Sequence, residues 1–362
     1  MRRALALAKR GWGRTAPNPM VGAVVVRDGH IVGEGWHAEL GAPHAEAMAL
    51  QVAGGLARGA TVYTTLEPCA HHGRTPPCAH ALVQAGVERV VFAVRDPGEV
   101  AGGGAEVLRR AGIRVDEGPG SGEVRELIAP FLFAAGGGGA GAGVSARPWV
   151  TLKLAVSLDA ALADATGQPG WLTGTRARRE VHRMRAESDA VMVGVSTVLV
   201  DDPELTVRHG RRPRVAPLRV VLDRRFRTPL ESRLVRGARE APVAVIGLPD
   251  GDPASRQRAA ALEASGARVG YAADVRAALE LLRIWEVRHL FCEGGAGVAG
   301  SLLSADLADR LVIFQAPVIL GAGSLPAFSG VPAVPLDAAP RWRAVRRASL
   351  GEDAMVVLAR GE

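Results

Sequence analysis

Pro43-His44-Ala45-Glu46, answered downstream by Pro68-Cys69 and Pro77-Cys78, is the stretch around which the rest of the chain is arranged. One histidine and two cysteines can hold a zinc ion and leave a fourth position open, the catalytic form of a zinc site and not the closed structural one. An ion bound in this way lowers the pKa of water at the open position to about 7. Glu46 lies two residues beyond the histidine. It would not ligate, and it suits a proton shuttle between that water and a leaving amine. The chain has three cysteines in all, and two of them fall here. Each proposed ligand follows a proline, which fixes φ and is tolerated at a helix start. The ligands are therefore expected where backbone N–H groups point outward and favour thiolates. The bland alternative is a stray histidine and two buried cysteines.

Outward from that stretch, Asp28-Gly29 reads as a two-residue hairpin turn between strands at 21–26 and 31–36. Helices are predicted at 2–13, 45–52, 78–85, 105–111 and 123–133, with Gly86 as the stop of the third. Further strands are predicted at 61–65, 90–94 and 113–115. A hairpin followed by alternating strands and helices describes a layered α/β domain. Residues 134–146 are rich in glycine and alanine and read as a linker, which divides the chain into domains 1–146 and 147–362. The second domain opens on a strand at 149–155. Strands follow at 190–193, 219–222, 243–246, 289–292, 311–316 and 355–359, with helices at 175–186, 253–265, 274–285 and 298–304. This alternation again means α/β.

A length of 362 residues suits two domains, and 48% apolar with 22% charged residues is a globular composition. No apolar run approaches the ~20 residues of a membrane span. The opening Met1-Arg2-Arg3-Ala4-Leu5 is basic but has no signal-peptide core. With two cysteines assigned to metal there is no disulfide framework, and a reducing cytoplasm is expected. The formal net charge is +7; residues 1–146 hold 14 basic and 13 acidic side chains, the remainder 30 and 24. Such a field can steer anionic substrates. No dense basic block with interleaved aromatics points to nucleic acid.

Two features of the second domain carry chemistry. The run Glu293-Gly294-Gly295-Ala296-Gly297-Val298-Ala299-Gly300-Ser301 follows a strand and opens a helix, where glycines let phosphate oxygens reach backbone N–H groups. It does not fit G-x-G-x-x-G in a βαβ unit, so no Rossmann domain is read here. Lys153 stands in an apolar strand of a chain whose only other lysine is Lys9. Arginine fills the other basic positions, so a compact, titratable amine is required at 153. The plainer reading is a solvated strand lysine.

The pattern H-x-E then P-C-x-x-C is that of the zinc deaminases. Here eight residues, Ala70 to Pro77, separate the cysteines where the compact motif has two. The run Thr65-Leu66-Glu67-Pro68-Cys69-Ala70-His71-His72-Gly73-Arg74-Thr75-Pro76-Pro77-Cys78, spacing included, resembles the zinc loop of the bifunctional deaminase/reductase family of riboflavin biosynthesis. The resemblance continues through Leu152-Lys153-Leu154-Ala155-Val156-Ser157-Leu158-Asp159, Trp171-Leu172-Thr173, Arg185, Ser196 to Pro203, Leu205 to Arg208 and the Glu293 glycine run. It implies a cytidine-deaminase-like α/β/α domain with a mixed sheet, followed by a dihydrofolate-reductase-like α/β domain using NADPH. By resemblance, Asn18, His37, His71 and Arg74 touch the deaminase substrate, and Arg185, Leu205, Arg208 and Glu293 touch the reductase substrate. Val156, Trp171, Thr197, Asp201 and the loop Gly295, Ala296, Gly297, Val298, Ala299, Gly300, Ser301 would touch NADPH. In Asp223-Arg224-Arg225-Phe226-Arg227, just after a strand, Arg224 or a neighbour could grip the 2′-phosphate by bidentate hydrogen bonds. Two positions depart from the family. A glycine and a basic residue are replaced by Ala160-Ala161, and a serine by Pro169, which bears on the local shape near Trp171.

One zinc ion and, by resemblance, NADPH are the expected cofactors, with Glu46, Lys153 and Glu293 as the expected catalytic residues. It implies deamination of a diaminopyrimidinone ribosyl phosphate, then reduction of its ribose to ribitol. The expected partners are that small phosphorylated pyrimidine and further copies of the chain, with neither nucleic acid nor membrane. A zinc deaminase of nucleic-acid bases with an accessory binding domain is the main rival; it requires strongly salt-dependent binding and no NADPH turnover. A metal- or nucleotide-binding regulator would have no need of Glu46.

Overall fold

The computed structural model describes residues 1–71, 76–98, 102–136, 145–168, 170–210, 212–249 and 252–360. Backbone contacts divide the chain into Met1–Ser145 and Ala146–Glu362. Arg74, Pro169 and the centre of the expected linker lie outside the described residues.

In the first unit, β1 (Gly22–Arg27) turns into β2 (His30–Trp36) through Asp28 and Gly29, both at positive φ, 49° and 78°. That is the geometry of the tight hairpin turn the dipeptide predicts. With β3 (Thr61–Leu66), β4 (Arg89–Val94) and β5 (Arg114–Glu117) these strands form a mixed sheet in the order β2-β1-β3-β4-β5. The hairpin and β3 are antiparallel; β3, β4 and β5 are parallel. Around the sheet lie α1 (Arg2–Ala8), α2 (Ala45–Ala53), α3 (Cys78–Ala85), α4 (Gly104–Arg110), α5 (Ser121–Leu127) and α6 (Ala129–Ala134).

Close approach of α2 to the sheet sets the position of His44, one of the candidate metal ligands. Gly33 and Gly35 share one face of β2, and a Cβ on either would fall 2.3 or 2.2 Å from the carbonyl of Ala49 or Ala45. The helix answers with Ala45, Ala49 and Ala53, spaced four apart on one face and all buried. Small residues on both sides let backbone meet backbone. Helix α3 ends where Gly86 enters the left-handed region at φ 66°. The single helix predicted over 123–133 is two, because Pro130 lacks an N–H and restarts the helix near its own first turn. The first helix also stops at Ala8 and passes into a 3₁₀ turn.

The second unit holds β6 (Trp149–Val156), β7 (Ala161–Ala163), α7 (Thr175–Glu187), β8 (Ala190–Gly194), α8 (Val195–Asp201), β9 (Leu218–Leu222), α9 (Arg233–Arg236) and β10 (Val243–Gly247). It continues with α10 (Pro253–Ala264), β11 (Arg268–Tyr271), α11 (Val275–Ile284), β12 (His289–Cys292), α12 (Ala296–Ser304), β13 (Arg310–Gln315), β14 (Leu325–Pro326), β15 (Trp342–Leu350) and β16 (Asp353–Arg360). Nine strands form one sheet, β11-β10-β9-β8-β12-β6-β13-β16-β15, parallel up to β13 and antiparallel after it. Both faces are covered, one by a core containing Leu152, Leu154, Leu290 and Leu302, the other by one containing Val191, Val193, Phe291 and Phe314. Burial on two faces explains the continuous apolar runs of these strands. Each fully buried Leu or Phe contributes about 1.5–3 kcal/mol. The edge strand β15 was not expected: Arg343, Arg346 and Arg347 and a bulge between Ala344 and Arg346 blunt its apolar pattern, as edges require.

Candidate active sites

Parallel strands β3 and β4 end side by side at Leu66 and Val94, and the chain leaving them carries Glu67, Pro68, Cys69 and Asp96 to one end of the sheet. Helix α2 begins there with His44 as its N-cap, and α3 begins with Cys78 just after Pro77. Cys69 sits in the loop instead of at a helix start, but the N–H of Cys78 donates to its sulfur at 3.3 Å, so a helix-start amide reaches it all the same. His44 Nδ1 lies 3.6 Å from Cys69 Sγ and 3.3 Å from Cys78 Sγ, and the three atoms fall within 4.8 Å of one another. A tetrahedral zinc at about 2.0–2.3 Å from each donor spaces those donors about 3.3–3.8 Å apart. The residues therefore fit the ion. Cys69 is held well below the usual thiol range, first by the hydrogen bond from Cys78 and then by His44, against the opposing effect of burial. Cys78 is pushed up because it keeps the proton that the two sulfurs share. This pair already contains the thiolate a cation needs.

Glu46, on the first turn of α2, is buried, and Thr64 Oγ1 donates to its Oε1 at 3.3 Å. Burial raises its pKa, the condition of a carboxyl group that must hold a proton in mid-reaction. These groups open on a cavity of about 390 Å³ lined also by Asn18, His37, Leu40, His71, Asp96 and Phe131. Asn18 Nδ2 lies 3.2 Å from His37 Nε2, and His37 Nδ1 lies 3.2 Å from the carbonyl of Pro43. The amide donates to Nε2, so the proton is on Nδ1 and points at that carbonyl. Burial keeps His37 neutral by lowering its pKa. His71 presents a buried Nδ1 with no protein partner among the described residues. Of the four substrate residues implied by resemblance, three line this cavity; the fourth, Arg74, lies outside the described residues.

Glu67 was not anticipated. Its carboxylate is buried and accepts from Ala105 N at 2.9 Å and Asp96 N at 3.3 Å. A Cβ on Gly104 would fall 1.7 Å from the Pro68 carbonyl, so α4 abuts this loop directly. Glu67 thus ties the Cys69 loop to both α4 and the end of β4. The signal in the sequence was an acidic residue at a strand end next to a proline and a ligand.

In the second unit Lys153 of β6, Glu293 just after β12 and Arg185 of α7 lie close together. Lys153 projects from the β6 face opposite Leu152 and Leu154, with Nζ 6.0 Å from the centre of the Phe314 ring. Its pKa is lowered, because burial outweighs the attraction of Glu293. Glu293 follows β12 and is gripped by Arg185 of α7 in a two-pronged ion pair, Nε to Oε1 and Nη2 to Oε2 at 3.0 Å. Burial alone would raise the Glu293 pKa. Arg185 and then Lys153 overcome it and hold the carboxylate ionised. The third arm of Arg185, Nη1, donates to the Thr206 carbonyl at 2.9 Å. Leu205 is buried in the core with φ +53°, and the Arg208 guanidinium pairs with Glu204 at 2.9 Å.

The expected NADPH residues separate into two kinds. Gly295 is the N-cap of α12, and Thr197 of α8 lies beside it, its Oγ1 3.8 Å from where a Cβ on Gly295 would stand. Gly295, Ala296, Gly297 and Val298 are the cap and first turn, where N–H groups remain open. Ala299 instead is fully buried in the core and Gly300 packs against the backbone of Gly330. Ser301 turns its hydroxyl back to the Gly297 carbonyl. Val156 is buried at the end of β6, Asp201 closes α8, and Trp171 is 76% exposed with Arg178 stacked on it at 4.9 Å. Arg224, Arg225 and Arg227 are exposed on the turn after β9. Ala160 stands at φ 59°, which explains a family glycine there; holding alanine in that conformation costs about 1 kcal/mol. Asp159, also unanticipated, accepts from Ser157 Oγ and from the N–H groups of Leu320 and Gly321, and is held at about 2.

Residues 1–94 match the cytidine and deoxycytidylate deaminase zinc-binding region, and residues 148–356 match the RibD C-terminal domain. The chain is 41% identical over 365 residues to the riboflavin biosynthesis protein RibD of Aquifex aeolicus, covering 99% of this chain and 97% of that one. It is 40% identical to the protein of the same name from Escherichia coli, over 89% of this chain and 88% of that one. Among solved structures it resembles Acinetobacter baumannii RibD with a TM-score of 0.85 at 36% identity, covering 100% and 98% of the two chains. It also resembles a diaminohydroxyphosphoribosylaminopyrimidine deaminase/5-amino-6-(5-phosphoribosylamino)uracil reductase of Thermotoga maritima, with a TM-score of 0.84 at 35% identity over 100% and 97%.

Proposed function

The chain belongs to the RibD family of riboflavin-biosynthesis deaminase/reductases, and on that premise we propose that its two units perform consecutive reactions on one small phosphorylated pyrimidine. The first hydrolyses an exocyclic amine of 2,5-diamino-6-(5-phosphoribosylamino)pyrimidin-4-one. The second reduces the ribose of the product to ribitol with NADPH. The observation that carries the first half is a buried carboxyl group, Glu46, beside a His44-Cys69-Cys78 triad at a cavity whose largely apolar wall also presents Asn18, His37 and His71.

Zinc held by His44, Cys69 and Cys78 supplies Lewis acidity that makes water nucleophilic near neutral pH. Glu46 takes the proton that the attacking water loses and delivers it to the departing nitrogen, so that the C–N bond breaks and ammonia leaves. Asn18 and His37, locked in one tautomer, orient the ring. Purified protein given the diaminopyrimidinone should yield a product whose amino group has become a carbonyl. An unchanged ring would remove this assignment.

A metal prediction follows. X-ray absorption should find one zinc per chain with two sulfurs near ~2.3 Å. Chelation should abolish ammonia release yet leave NADPH oxidation on added deaminated substrate intact; loss of both would place the metal elsewhere.

In the second unit the closed glycosylamine offers no unsaturated carbon and must first open to an imine at C1. NADPH supplies the hydride for that carbon. Lys153 donates the proton that the ring oxygen takes on opening. Glu293, ionised and pinned by Arg185, holds ribose hydroxyls and supports positive charge on the nitrogen. The backbone at Leu205, whose side chain is buried in the core, and the side chain of Arg208 meet the remainder of the substrate. Gly295 to Val298 and Thr197 would hold the cofactor phosphates, and Arg224 or a neighbouring arginine would grip its 2′-phosphate. Turnover with NADPH should therefore greatly exceed that with NADH, and replacing Arg224 and Arg225 together by alanine should narrow the gap by about 10- to 100-fold. An unchanged preference would move the 2′-phosphate contact to other residues.

A further inference from the structure

We propose that His182 is a positioning residue for the reduction: its Nδ1 holds the backbone of Arg208 and so sets where Leu205–Arg208 meets the substrate. This rests on the reading of the second unit as a reductase.

Residues 204–208 have no regular secondary structure, yet three side chains from other elements hold their backbone. Nη1 of Arg219, on β9, donates to the Glu204 carbonyl at 3.1 Å. Nη1 of Arg185, on α7, donates to the Thr206 carbonyl at 2.9 Å. The Arg208 N–H donates to His182 Nδ1 at 3.2 Å. All three side chains are buried, at 1%, 9% and 6% exposure. The fastened atoms fall at every second residue, with Leu205 at positive φ between the first two. An irregular strip fixed at three successive points has little freedom to shift, and that is what a substrate-facing strip requires.

The three fasteners differ in what else they do. Arg185 also grips Glu293, and Arg219 also holds the carbonyls of Gly237 and Ala241. The His182 ring makes one hydrogen bond among the described residues, the one from Arg208, so its contribution can be isolated. Accepting that N–H requires a lone pair on Nδ1 and places the ring proton on Nε2. The surroundings enforce the same state. Burial first, then Arg185, His209 and Arg208, hold the His182 pKa at about 4 against the opposing Glu293. His209 meets the ring edge-on at 4.8 Å. The histidine is therefore a neutral, single-tautomer acceptor, not a proton carrier.

Asparagine places Oδ1 where Nδ1 stands, whereas leucine has similar shape and no acceptor. With the full chain, His182→Asn should keep the KM for the deaminated substrate within about twofold. His182→Leu should raise it about tenfold, the order expected for an unpaired buried N–H. In both variants kcat, the KM for NADPH and the rate of ammonia release should stay unchanged. A general loosening of the unit would instead raise the KM for NADPH as well. If the leucine variant fails to fold, His182→Gln, which displaces the acceptor by one bond, should show the same isolated rise. A normal substrate KM in His182→Leu, or an equal defect in His182→Asn, would overturn the proposal. Absence of NADPH oxidation by the unaltered chain would instead overturn the reductase reading beneath it.

Discussion

Ammonia release is expected to fall by about 10²- to 10⁴-fold when Glu46 becomes glutamine, the usual span for removal of a general acid–base group. Zinc content should not change, because the three atoms proposed to hold the ion are His44 Nδ1 and the sulfurs of Cys69 and Cys78. Glutamine keeps the volume of the buried side chain and an oxygen for Thr64 to donate to. What it loses is the ability to take a proton from water and give it to nitrogen. NADPH oxidation on pre-deaminated substrate should proceed at the normal rate, since it depends on residues of the other unit. Zinc loss in this variant would make Glu46 a ligand and remove its proposed role.

Lys153→Arg is expected to cost a similar 10²- to 10⁴-fold in the reductase step although the charge is kept. Guanidinium does not release a proton near neutral pH, and its planar fork does not replace a point ammonium. The site also lacks slack: Lys153 is packed beside Phe314, and Arg185 and Glu293 already form a closed pair next to it. The sign of the pH effect follows from burial. A lysine whose pKa is lowered from 10.5 loses its acid form earlier as pH rises, so the alkaline limb of reduction should fall below that value. Near-normal reduction by Lys153→Arg would end the proton-donor assignment.

Chemistry that needs particular residue types at short spacing was legible in the chain. Asp28-Gly29 specified its hairpin, and His44, Cys69 and Cys78 specified a metal triad that the structure brings together. Lys153 stood out only because arginine fills nearly every other basic position, and burial within the interior strand β6 is consistent with that contrast. What stayed hidden was long-range or backbone-directed. Glu67 acts through the N–H groups of Ala105 and Asp96, and His182 through that of Arg208, partners 38, 29 and 26 residues away. No local pattern announces such bonds, because any polar side chain of suitable length could make them. The glycine run at 295–301 was read as one cofactor-facing stretch with its helix from 298, but the chain turns helical at Ala296 and folds Ala299 and Gly300 inward. Two successive roles, an open helix start and a close contact with Gly330, share one composition.

The central claim is that one chain holds two independent sites acting in a fixed order, deamination before reduction. Purified, zinc-loaded protein is given the diaminopyrimidinone ribosyl phosphate, and ammonia and NADPH are followed together. Without NADPH, ammonia should appear in full and the deaminated ribosyl compound accumulate. With NADPH present, cofactor oxidation should lag behind ammonia and then match it mole for mole. NADPH oxidation that precedes ammonia, or that proceeds undiminished when Glu46→Gln blocks deamination, would contradict the order and the account built on it.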